Sequence, residues 1–124
     1  MIEMNTLFTI SLVIEFLFGM GFILMPSTLV GLFGENLTGF GIIIARLFGS
    51  ALLGLVVLMG FGRSSSQPDT KRAVLASMFT YYVISSIFAV MAQFSGSVSP
   101  LGWGTLLLRL FLMIAFGIFL FRRQ

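Results

Sequence analysis

Glu15, Arg46 and Arg109 are the residues that invite chemistry in this chain, because each stands inside a long apolar stretch. An ionised side chain at the centre of a membrane-spanning helix costs about 2.5–3.5 kcal/mol on insertion scales, so all three need partners or a function. Glu15 falls ~15 Å from either end of its stretch, and the two arginines lie roughly 10–13 Å inside the ends of theirs. At such similar depths a guanidinium can reach the carboxylate, and one carboxylate cannot neutralise two arginines. The charge left over would favour an anion, a carbonyl oxygen or a lipid phosphate.

The residues around these charges follow helical spacing. Ser11, Glu15 and Gly19 recur at i, i+4, i+8, as do Arg46, Ser50 and Gly54, and Arg109, Met113 and Gly117. A further stripe holds Tyr82, Ser86, Ala89 and Gln93, with Tyr81 and Ser85 beside it. In lipid, small and polar residues on one helix face mark contact with another helix, since glycine admits a close backbone approach and polar groups avoid hydrocarbon. The pattern predicts an outer-half polar cluster of Glu15, Arg46, Arg109 and Gln93, with Tyr82 and Ser86 as hydroxyl donors, and helix packing at Gly19, Ser50, Gly54 and Gly117. Two readings of the cluster stay open: a buried ion pair that fixes helix register, or a site for a ligand.

Composition narrows the chemistry further. The 124 residues are 58% hydrophobic and only 9% charged, which leaves too little polar surface for a soluble domain of this size. Without His or Cys, typical zinc sites, disulfides, iron–sulfur ligation and His-ligated haem are excluded. The single lysine, Lys71, sits in a polar stretch and offers no buried Schiff base. Catalytic residues, a metal site and a cofactor are accordingly not expected, and neither is an enzymatic activity.

The elements that must position the charges are apolar stretches of about 20 residues, long enough to cross ~30 Å of hydrocarbon. Four are present, near 5–25, 39–61, 73–93 and 100–121, which predicts an all-α, single-domain, four-helix transmembrane bundle. Ser99-Pro100 and Asp69-Thr70 read as helix starts, and Pro26 ends the first span. The apolar segment after Pro26 is too short to cross and is expected as a short helical turn in the interface.

Arg63, Lys71, Arg72, Arg122 and Arg123 all flank one side of the spans and none flanks the other, so both termini are expected on the cytoplasmic side. The net charge of +3 then reflects topology and attraction to anionic lipid, and nucleic acid is not an expected partner. The run Gly41-Ile-Ile-Ile-Ala-Arg46-Leu-Phe48 also matches Gly104-Thr-Leu-Leu-Leu-Arg109-Leu-Phe111, which suggests a two-plus-two parallel repeat.

The sketch Gly19-x-Gly-Phe, Pro26, Leu32-Phe-Gly34 and Ala45-Arg-Leu-Phe-Gly49-x-Ala51-x-x-Gly54 resembles the small bacterial four-helix membrane proteins described as DoxX-like. The likeness covers about the first half of the chain. It implies a bacterial cytoplasmic (inner) membrane and association with respiratory or quinone-linked partners. In length, helix number and the position of Glu15 the chain is also similar to small multidrug-resistance transporters, which implies proton-coupled export of cations, although Arg46 and Arg109 would repel a cation. Taken together these features predict a non-enzymatic accessory or structural subunit among membrane lipids, packed against other membrane subunits or its own copies. The alternatives are a binder or transporter of a quinone, lipid or anion at the Glu/Arg cluster, and a small proton-coupled exporter.

Overall fold

The computed structural model describes residues 3–32, 39–96 and 99–122. They form five helices: α1 (Met4–Leu24), α2 (Pro26–Gly31), α3 (Gly39–Ser64), α4 (Pro68–Phe94) and α5 (Leu101–Phe121). The four longer ones have the length and apolar composition to cross a membrane, so the described residues form an all-helical fold of the multi-pass membrane kind. Helix α2 is the short turn expected after Pro26. Proline has no N–H and holds its predecessor out of the helical region, so Met25 sits at φ −142° and ψ 60° and Pro26 opens the new helix at its first position.

Two helix starts differ from the sequence reading. Helix α4 begins at Pro68, earlier than position 73, because proline is preorganised for the first helical position; Asp69 lies in the first turn instead of capping it. The Ser99 hydroxyl does not cap α5 but donates to Leu32 O at 3.0 Å, tying the α4–α5 connection to the end of α2. On that connection, Phe94 and Trp103 are exposed and pack edge to face with ring centres 5.6 Å apart.

The long helices pair as two hairpins, α1 with α3 and α4 with α5. The first hairpin is sealed where two glycines face each other. A Cβ on Gly49 would lie 2.8 Å from Gly19 O and 2.9 Å from Phe22 Cβ, and one on Gly19 would lie 3.1 Å from Gly49 O. In the second hairpin Gly117 fills the corresponding role, since a Cβ there would lie 2.9 Å from the Phe79 ring.

Ser50 and Gly54 do not pack as expected. Both are exposed, nothing lies within 4 Å of a Gly54 Cβ, and the Ser50 hydroxyl turns back to Arg46 O at 2.9 Å. The face of α3 that meets α1 holds Ala45, Gly49 and Leu52, shifted one residue from the predicted stripe, because Gly49 is the position at which the two backbones can close.

The hairpins meet in a core confined to one half of the bundle. Leu7 and Phe8 of α1, Met59 of α3, Val74 to Tyr82 of α4 and Leu112 to Leu120 of α5 form it, all toward the end where α3 passes into α4. Phe8, Tyr82 and Phe116 supply its largest side chains, with ring centres 6.0 Å apart for Phe8–Phe116 and 5.7 Å for Tyr82–Phe116. The other half is not filled to the same degree, and the site lies there.

Candidate functional site

Glu15 sits at the boundary between the packed and unpacked halves. It is 4% exposed, and its Oε1 accepts a hydrogen bond from Tyr82 Oη at 3.2 Å. The same Tyr82 oxygen lies 2.7 Å from Ser11 Oγ. A phenol has one hydrogen, and if Tyr82 gives it to the carboxylate then Ser11 must donate to Tyr82. Ser11, Tyr82 and Glu15 thus form a directed relay of hydroxyls ending on a carboxylate, with both hydroxyl residues fully buried. Helical spacing places it: Ser11 and Glu15 are one turn apart on α1, and Tyr82 comes across from α4.

Arg109 approaches from α5. Its Nη1 donates to Tyr81 Oη at 3.2 Å and to Ser85 Oγ at 3.0 Å, and its guanidinium carbon lies 5.8 Å from the centre of the Tyr81 ring. Tyr81 accepts from Arg109, and Arg109 attracts Glu15 through space without a direct ion pair among the described residues. Arg109 spends only Nη1 on these acceptors. Its Nη2 and Nε have no acceptor among the described residues.

These groups line a cavity of about 310 Å³ between the two hairpins. Glu15, Tyr82 and Arg109 form its polar side; apolar side chains, among them Phe18, Phe22, Leu52 and Leu108, line most of the remainder, with Val30 of α2 and Thr105, whose hydroxyl is bonded to Gly102 O at 3.0 Å. That volume is at the small end of the ~300–1,000 Å³ range of ligand pockets. Ser86, one turn along α4 from Tyr82, is 4% exposed, and its hydroxyl has no hydrogen-bond partner among the described residues.

The other predicted members lie elsewhere. Arg46 is exposed on the outside of the α1–α3 hairpin, where its Nε donates to Ile23 O at 3.2 Å. Ile23 is among the last residues of α1, whose carbonyls have no intrahelical partner, so Arg46 acts as a helix cap and not as a partner of Glu15. Gln93 is buried, but its Nε2 donates to Ser99 O at 3.2 Å and holds the α4–α5 connection. The structure therefore brings together Glu15, Tyr82 and Arg109, with Ser86 next to them, and leaves Arg46 and Gln93 to other tasks.

Tyr81 and Ser85 are the site residues the sequence reading did not select. Their signal was present: they are four residues apart on α4, on the stripe next to Tyr82 and Ser86. The chain matches no protein-family model, no curated protein and no solved structure.

Proposed function

We propose that the protein binds a small, neutral, carbonyl-bearing ring compound of the quinone class in the cavity between its hairpins, and has no enzymatic activity of its own. The observation that supports this reading is the pairing of Arg109, with unused N–H donors, and the Glu15–Tyr82–Ser11 relay at one side of a mostly apolar cavity. Arg109 offers hydrogen bonds to a carbonyl oxygen, and the relay offers an acceptor to a hydroxyl of the reduced form. An anion would meet the Glu15 carboxylate, and a cation would meet Arg109. A neutral polar head on an apolar body meets neither penalty.

A binding test follows. In mild detergent, a short-chain benzoquinone present at 100 times its Kd should stabilise the protein by about 2.7 kcal/mol, and this gain should vanish in Arg109→Met. Thermal unfolding with and without the quinone measures it. No stabilisation, or an equal gain in Arg109→Met, would sink the proposal.

A second reading, the accessory subunit, is favoured by the outward face of α3. Arg46, Ser50 and Gly54 expose a small and polar strip there, of the kind that admits another transmembrane helix. Both readings place the chain in a bacterial cytoplasmic membrane with its basic end inside. Reporters fused at Ser65 should then read cytoplasmic and those at Ser95 external, and the reverse result would reject that orientation.

The glycines behind the DoxX-like resemblance include Gly19 and Gly49, which act in helix packing. The likeness accordingly supports a shared way of building the first hairpin more than a shared ligand.

A further inference from the structure

A second cavity, of about 640 Å³, opens at the basic end of the bundle, away from the first. Lys71 and Arg72 at the start of α4 and Arg122 just past α5 line it, against a single carboxylate, Asp69, so its wall carries a net positive charge. We propose that this cavity holds the phosphate of an anionic phospholipid headgroup.

The three cations have different parts. Lys71 Nζ is committed to Asn5 Oδ1 at 2.7 Å, Gly62 O at 2.8 Å and Arg63 O at 3.3 Å. With three donors and three acceptors, it lends the cavity charge but no further hydrogen bond. Arg72 donates from Nη1 to Leu120 O at 3.2 Å, which fixes the guanidinium against the end of α5 and leaves its Nε and Nη2 without an acceptor among the described residues. Arg122, past the end of α5, lies with its guanidinium carbon 4.9 Å from the centre of the Phe119 ring. The unused Nε and Nη2 of Arg72 suit the oxygens of a phosphate, which accept paired N–H bonds, and Lys71 and Arg122 add positive charge at the same cavity.

The apolar part of the wall identifies the source. Leu75 and Phe119 line the cavity beside the cations, where the helices enter their apolar stretches. A free phosphate has no use for such a surface, whereas the glycerol and upper acyl chains of a lipid would cover it. Basic pockets between transmembrane helices at headgroup level are a known physical solution for anionic lipids.

The test uses the full chain purified in neutral detergent, with lipid retention read by native mass spectrometry. Phosphatidylglycerol should be retained more tightly than phosphatidylcholine, and millimolar inorganic phosphate should not displace it. Arg72→Gln should weaken phosphatidylglycerol about tenfold, the loss expected for one charge-assisted hydrogen bond, and Arg122→Gln, which removes charge from the cavity wall, should weaken it by about twofold or more. Arg122→Gln leaves the Arg72–Leu120 contact in place, so it reports on the site even if Arg72→Gln fails to fold. Arg63→Gln, exposed at the same end but outside the cavity wall, should change nothing. Equal retention of the two lipids, displacement by inorganic phosphate, or an equal loss in Arg63→Gln would each overturn the proposal.

Discussion

Gly49→Ala should destabilise the first hairpin by about 1–3 kcal/mol, the range for forcing extra atoms into a closed contact, while Gly54→Ala five residues on should stay within about 0.5 kcal/mol of the parent. The contrast rests on what each added carbon would meet. At Gly49 it meets the carbonyl oxygen of Gly19 at 2.8 Å and Phe22 Cβ at 2.9 Å, and neither can move without moving α1. At Gly54 it meets nothing within 4 Å. Unfolding in mixed micelles, followed by helical circular dichroism, separates the two. Equal losses would mean that the helices do not close at Gly19 and Gly49. A Gly54→Leu variant that folds normally yet drops out of a larger complex would favour the accessory-subunit reading, because the exposed strip on α3 would then be a partner's seat.

That pair of glycines also shows where a sequence reading reaches and where it stops. The four spans were legible because each is a run of about 20 apolar residues and nothing else explains such runs. On α1, the inward face was legible as well: Ser11, Glu15 and Gly19 are the small and polar residues of that stripe, and all three are buried. On α3 two stripes compete. Ala45 and Gly49 lie about 100° around the helix from Arg46 and Ser50, and both stripes contain a glycine. A helix that is apolar nearly all round offers no polar face to decide between them. By sequence the arginine belongs on the inward face, whereas its acceptor, Ile23 O, lies at the C-terminal end of α1.

The same logic explains the partners of Glu15. Depth along the membrane normal made Arg46 and Arg109 equivalent, but depth is one coordinate and the azimuth of each helix is another. Azimuth depends on which helices pair, and the pairing of α1 with α3 turns Arg46 away, while the pairing of α4 with α5 brings Arg109 past Tyr81 and Ser85 to the cavity. An arginine held by a phenol and a hydroxyl of the neighbouring helix is a contact that no search for direct ion pairs would return.

Glu15→Gln is expected to cost about 1.5–3 kcal/mol, because it weakens a buried charge-assisted hydrogen bond from Tyr82 and leaves Arg109 without the carboxylate that offsets its charge. Glutamine keeps the shape and can still accept from Tyr82, so the loss measures charge more than packing. Arg109→Met alone should cost a similar amount by leaving Tyr81 and Ser85 without their shared donor. Together the two substitutions should cost less than their sum by about 0.5–3 kcal/mol, the coupling expected of groups in one network. Arg46→Met combined with Glu15→Gln should be additive, since Arg46 bonds to the end of α1 on the far side of the hairpin. Thermal unfolding in detergent across the six proteins gives both couplings. The quinone then divides structure from function: the Glu15→Gln, Arg109→Met protein should lose less stability than the two single changes sum to and should show no gain on adding quinone, whereas the additive Arg46→Met change should leave that gain intact. Coupling to Arg46 instead of Arg109 would place the carboxylate's partner on the wrong helix and undo the site as described.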